Sequence, residues 1–128
     1  MSKVNLSNFD ANAVELAEFA RLLAHPARII ILQYLAQRQE VPCMEIVNIL
    51  PLAQPACSRH INELRKMGLL VARPQGTNIF YHLNRSMLAE FCHQMGATLH
   101  SSSQVNDSTF MTHSHICLLY TSDAADEE

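Results

Sequence analysis

Tryptophan is absent from this chain, glycine occurs only three times, and aromatic residues make up 6% of its 128 residues. Three scattered glycines leave no room for a glycine-rich phosphate loop. No nucleophile–base–orienter set and no paired acidic motif stands out, so catalysis is not expected. No apolar run approaches the roughly 20 residues that a membrane span needs. The start, MSKVNLSNFDANA, lacks the apolar stretch of a signal peptide, and a cytoplasmic protein is expected. The four cysteines, Cys43, Cys57, Cys92 and Cys117, contain no CxxC pair, which favours reduced thiols over a disulfide framework.

What is present is a hydrophobic content of 48%, enough for one core in one domain. With few aromatics, Leu, Ile, Val, Met and Ala must do most of the packing. The net charge of −3 hides a strong local asymmetry. Between Pro51 and Arg85, five bases (Arg59, Arg65, Lys66, Arg73 and Arg85) face Glu63 alone, a local net charge of +4. The last twelve residues carry Asp123, Asp126, Glu127 and Glu128 and no base, so without them the chain is +1. Cys117–Glu127, CLLYTSDAADE, resembles a translated sequencing-library adapter, and residues 117–128 are therefore excluded from fold reasoning. The natural C-terminus then lies at an unknown point beyond Ile116. Residues 100–116 are polar and weakly patterned and are expected to be a disordered extension. Residues 8–99 are expected to form the domain.

Apolar residues at Val14, Leu16, Phe19, Ala20, Leu22 and Leu23 predict a helix over Asp10–Leu23, capped by Asn8 or Asp10. Pro26 fits the first turn of a second, central helix over Pro26–Gln37. Arg38-Gln39-Glu40 is a polar link. A short third helix opens at Pro42 or Cys43 and ends at Pro51. A fourth runs from about Gln54 to Met67, with Cys57, Ile61 and Leu64 as its core stripe and Gly68 as a left-handed stop. Leu69–Ala72 and Ile79–Leu83 read as strands joined through Arg73–Asn78. A last helix begins at Asn84 or Ser86 and reaches about Leu99. The expected fold is mainly α with a small β-hairpin, a winged helix-turn-helix in the order α-α-α-α-β-β-α.

The segment Pro51–Leu83 carries the functional signal. A short helix reads base edges only if one face is anchored and the other bears hydrogen-bonding side chains. Gln54, Ser58, Arg59 and Asn62 are chemically suited, since Gln and Asn pair bidentately with adenine and Arg with guanine. Arg65, Lys66 and Arg73 can neutralise phosphates. His60 can reach a phosphate or cap the core against Tyr81. Gln75, Thr77 and Asn78 at the hairpin tip can meet backbone or minor groove. Any one of these is an ordinary solvated side chain; together, in the order helix, tight turn, helix, glycine stop and hairpin, they point to double-stranded DNA.

At these residues the chain resembles the arsenic-repressor-like (ArsR/SmtB) family of winged helix-turn-helix regulators. The family pattern around the recognition helix is met at Leu52, Gln54, Ser58, His60, Leu64, Gly68 and Leu69, with Ile61 for the usual Leu and Cys57 for the usual Val. His25–Arg28 matches the family's D/H-P-x-R turn. The resemblance covers about Ala13–Leu99. It implies a homodimeric repressor, paired through its first and last helices, that binds an inverted-repeat operator and is released by an inducer, for which a thiophilic metal or metalloid and thiol chemistry are the candidates. A winged-helix protein-interaction module without inducer sensing is the alternative.

The family's sensor motifs transfer poorly. Where members carry C-x-C, this chain has Val41-Pro42-Cys43, and where a subgroup carries C-Y-C it has Phe80-Tyr81-His82. Cys43 and His82 are the candidates for an incomplete or altered metal site. Glu90, Cys92, His93 and His100 do not reproduce the last-helix zinc pattern. Cys57 reads as a small buried hydrophobe. His113 and His115 lie in the polar extension of residues 100–116.

Overall fold

A computed structural model describes residues 5–100. After a single 3-10 turn at Leu6–Asn8, the elements are α1 (Ala11–Leu23), α2 (Pro26–Ala36), β1 (Val41–Pro42), α3 (Cys43–Ile49), α4 (Gln54–Lys66), β2 (Leu70–Gln75), β3 (Asn78–Leu83) and α5 (Arg85–Leu99). The adapter-like tail, the polar extension beyond His100, and Cys117, His113 and His115 lie outside the described residues.

Local chemistry accounts for most of the boundaries. Asp10 caps α1, its carboxylate accepting from the Ala13 amide, and Asn84 caps α5 through the Met87 amide. His25 is held extended (φ −152°, ψ 134°) before Pro26, and its Nδ1 accepts from the Ala27 amide as the cap of α2. Leu50, before Pro51, is likewise extended and stops α3. Gly68 takes φ +87° and ends α4.

The expected order lacked one strand. Val41-Pro42 pairs antiparallel with Phe80-Tyr81, giving a three-stranded sheet in the order β1-β3-β2 and the element order α-α-β-α-α-β-β-α. Arg73-Pro74-Gln75 is also strand rather than connection, because β2 lies at a sheet edge, where proline's missing donor is tolerated. The hairpin turn is therefore only Gly76-Thr77, with Gly76 at φ +62°.

One core joins α2, α3, α4 and the sheet. Ile31, Leu35, Ile46, Cys57, Ile61, Leu64, Leu69 and Leu70 are almost fully buried within it. The second helix is less enclosed than expected, since Ile29 and Ile30 reach the surface. The fifth has no fully buried residue. It packs on α1 through stacked rings of Phe19 and Phe91, whose centroids are 4.2 Å apart. Beside that pair, α1, α5 and Met67 border a cleft of about 730 Å³.

Candidate nucleic-acid interface

The fourth helix is held from beneath. Cys57, Ile61 and Leu64 recur at helical spacing and are at most 1% exposed. The Cys57 thiol also donates to the Leu52 carbonyl (3.6 Å), tying the helix to the turn that follows α3. The expected role of Cys57 as a small core residue holds.

At about 100° per residue, the side chains on the rest of α4 sort themselves. Arg59 and Lys66 fall opposite the buried stripe, with Asn62 between them and Ser58. Gln54, Ser58 and Arg65 run along one flank. Gln54, Arg59, Asn62, Arg65 and Lys66 are exposed and Ser58 is half-buried. The Lys66–Glu63 contact, at 3.6 Å between exposed groups, holds Lys66 only loosely. The structure thus gathers six of the expected residues on one continuous polar surface with three cationic side chains.

His60 stands apart from that surface. It falls on the opposite flank, where Arg28 Nε donates to its Nδ1 (3.0 Å) and the His25 ring lies 4.2 Å away. Arg28 also donates to the Leu22 carbonyl (2.8 Å), so His60 joins α4 to the α1–α2 turn. Burial, then the neighbouring His25, Arg28 and Arg59, lower the His60 pKa and favour the neutral ring that accepts from Arg28. Of its two expected roles, a phosphate contact is not favoured on this flank, while Tyr81, the residue of the other, is buried in the core.

At the wing, Gln75, Thr77 and Asn78 are exposed at the hairpin end, as expected of tip residues. Arg73 is not a free cation. Its Nε and Nη2 donate to the two Glu40 carboxylate oxygens (2.8 and 2.5 Å), and its Nη1 donates to Gln75 Oε1 (3.0 Å). Hydrogen bonding from Arg73 holds the Glu40 carboxyl below its ordinary pKa. Arg85 is also engaged internally, donating to the carbonyls of Leu35, Ala36 and Arg38 at the end of α2. Glu40, Arg28 and Arg85 were not singled out from sequence. Their partners lie 32 to 50 residues away, beyond the reach of local pattern, although Arg28 sits in the HPAR motif.

Cys43 and His82 do not converge. Cys43 is partly buried and packs against the core, and burial, then Cys57, raises its pKa. His82 follows Tyr81 in β3 and therefore points to the opposite face, where it acts on Glu40. A thiol with a raised pKa stays protonated and is a poorer ligand. Among the described residues no three His, Cys, Asp or Glu side chains gather as a metal site.

Comparison with known proteins bears on the family and the fold. A helix-turn-helix domain profile matches residues 23–73. The HTH-type transcriptional regulator MJ1325 of Methanocaldococcus jannaschii is 36% identical over 67 residues, covering 52% of this chain and 75% of that protein. The biofilm growth-associated repressor of Agrobacterium fabrum is 32% identical over 83 residues, covering 65% and 70% respectively. In structure, the chain is similar to an ArsR-like transcriptional regulator from Rhodococcus sp. RHA1, with a TM-score of 0.58 over 67% of this chain and 80% of that one, at 23% identity. That last likeness concerns the fold.

Proposed function

The chain belongs to the ArsR/SmtB family of winged helix-turn-helix DNA-binding transcriptional regulators, and from that premise we propose that it is a homodimeric repressor of an inverted-repeat operator, released by an inducer. The observation that carries the DNA-reading half is the surface of α4, anchored by Cys57, Ile61 and Leu64 and bearing Gln54, Ser58, Arg59, Asn62, Arg65 and Lys66. In this reading Gln54, Ser58, Arg59 and Asn62 meet base edges, and Arg65 and Lys66 meet phosphates. Gln75, Thr77 and Asn78 touch the adjacent backbone or minor groove. His60 supports α4 from the side away from DNA.

The dimer half rests on α1 and α5. A fifteen-residue helix with Met87, Leu88, Phe91 and Met95 only half-buried, and Leu99 75% exposed, suits burial against a second copy. Two recognition helices related by a two-fold axis then call for a two-fold operator. Residues 8–99 would be sufficient for both tasks, and the protein would work in the cytoplasm. Release by an inducer is what the family resemblance implies. A tight thiophilic site needs three or four convergent donors, and Cys43 and His82 face apart. Further donors would have to come from outside residues 5–100 or from the second copy.

The test is a salt titration of the full chain on its operator and on random duplex. The proposal expects operator preference, with affinity for both falling steeply between roughly 50 and 200 mM salt. Equal affinity for the two duplexes across that range contradicts it. Arsenite, cadmium, zinc and peroxide are then added to the operator complex. If Cys43→Ser responds to every active inducer as the unaltered chain does, Cys43 has no sensing role.

A further inference from the structure

The wing follows α4 directly through β2 and shares its core through Leu69, Leu70, Tyr81 and Leu83, but at the β1 edge it is joined to the helix-turn-helix by little backbone. Only two residue pairs join β1 to β3, Val41 with Tyr81 and Pro42 with Phe80, and Pro42 has no amide to donate. Yet β1 leads directly into α3, so this short ladder is the sheet's connection to the start of the helix-turn-helix. A side-chain bridge spans the same gap. Arg73 is on β2, one edge of the sheet, and Glu40 immediately precedes β1, the other edge. The Arg73 guanidinium passes over the ring of Phe80 on the central strand, 4.9 Å from its centroid, and grips both Glu40 oxygens. All three strands are crossed by one contact. Its bidentate geometry fixes orientation as well as distance.

We propose that the Arg73–Glu40 pair is a strap that sets the angle of the wing against the recognition helix, making both side chains positioning residues for wing recognition and not phosphate contacts. This rests on the DNA-regulator reading. It also reverses the sign expected of a mutation. Were Arg73 a phosphate contact restrained by Glu40, removing the carboxylate would free a cation, delete a negative charge and tighten DNA binding. As a strap, its removal loosens the wing and weakens binding despite the more favourable charge. Gln75, whose Oε1 accepts from the same guanidinium, would be oriented by the strap as well.

The experiment measures the full chain, Glu40→Ala, Arg73→Glu and the exchanged pair Glu40→Arg/Arg73→Glu. Each is titrated on a duplex selected by the unaltered chain from a random library and on an unselected duplex, with urea midpoints confirming folding. Glu40→Ala is expected to bind the selected duplex about fivefold more weakly, with no loss on unselected duplex and with relaxed base preference at the outermost positions. The exchanged pair should regain most of that preference, whereas Arg73→Glu alone should not. Equal or tighter binding of the selected duplex by Glu40→Ala overturns the strap, as does an exchanged pair no better than Arg73→Glu. A full chain with no preference between duplexes would sink the DNA-reading function and the strap's role with it. A preference that survives Glu40→Ala intact sinks the strap alone.

Discussion

The helix-turn-helix half and the α1–α5 layer solve the burial problem differently. In α4, every third or fourth side chain is sealed in the core and the remaining face is polar. In α5, apolar side chains recur at similar spacing, but none is fully buried, and Leu99 is largely exposed. The first arrangement is complete within one chain and offers its polar face outward. The second leaves apolar surface uncovered, with a cleft alongside. Under the proposed function, the first region reads DNA and the second meets another copy of the chain.

Substitutions can separate these two designs. Leu64→Ala should be the most damaging, removing a fully buried side chain beneath α4 at a cost of about 2–5 kcal/mol. A lowered urea midpoint together with lost DNA binding is expected, and an unchanged midpoint would mean that α4 is not anchored as described. Met95→Glu should leave the midpoint of the isolated fold nearly unchanged but place an unpaired carboxylate on the α5 stripe. Self-association is expected to weaken by roughly a hundredfold, following a penalty of about 3 kcal/mol for the buried charge. Sedimentation equilibrium checks this, and an intact dimer would remove α5 from the interface.

Smaller effects sharpen the contrast within α4. Arg59→Ala should reduce discrimination among bases by about 1–3 kcal/mol, while Lys66→Ala should weaken all duplexes alike and lower the salt slope by about 1.8, from one lost phosphate contact in each subunit of the dimer. If Arg59→Ala keeps full base preference, Arg59 does not read bases. Gly68→Ala touches the seam between the two regions. Its backbone is left-handed, and an added Cβ would meet Met87 Cε of α5 at 3.2 Å. A loss of about 1 kcal/mol in urea unfolding is expected. The least change is assigned to His60. Its pKa is lowered in the fold, so the stability it contributes is present above the unfolded value of about 6.5 and is lost as pH falls through the lowered value. His60→Gln keeps an acceptor for Arg28 and should flatten the His60 part of the decline in urea midpoint between about pH 7.5 and 5.5. Parallel declines in the two proteins would contradict it.

Legibility in the sequence followed the range of the interaction. Helices α1 to α5 were readable because their signals are local: Asp10 and Asn84 as caps, Pro26 in a first turn, Gly68 as a stop, and the Cys57–Ile61–Leu64 stripe. Strand β1 was not, since two residues show no alternation and Pro42 reads as a helix start. Pro74 made half of β2 look like loop, and only its edge position permits it. On the polar face of α4, Gln54, Ser58, Arg59, Asn62, Arg65 and Lys66 followed from helical period alone. The roles of Arg73 and His60 did not, because they depend on Glu40 and Arg28, more than thirty residues distant.

Selection of bound duplexes by the full chain from a random library, followed by sequencing, tests the paired reading of DNA most directly. The expected product is an imperfect inverted repeat whose half-sites sit about one helical turn, or a multiple of it, apart. Enrichment of a single asymmetric site, or of no sequence at all, would contradict it.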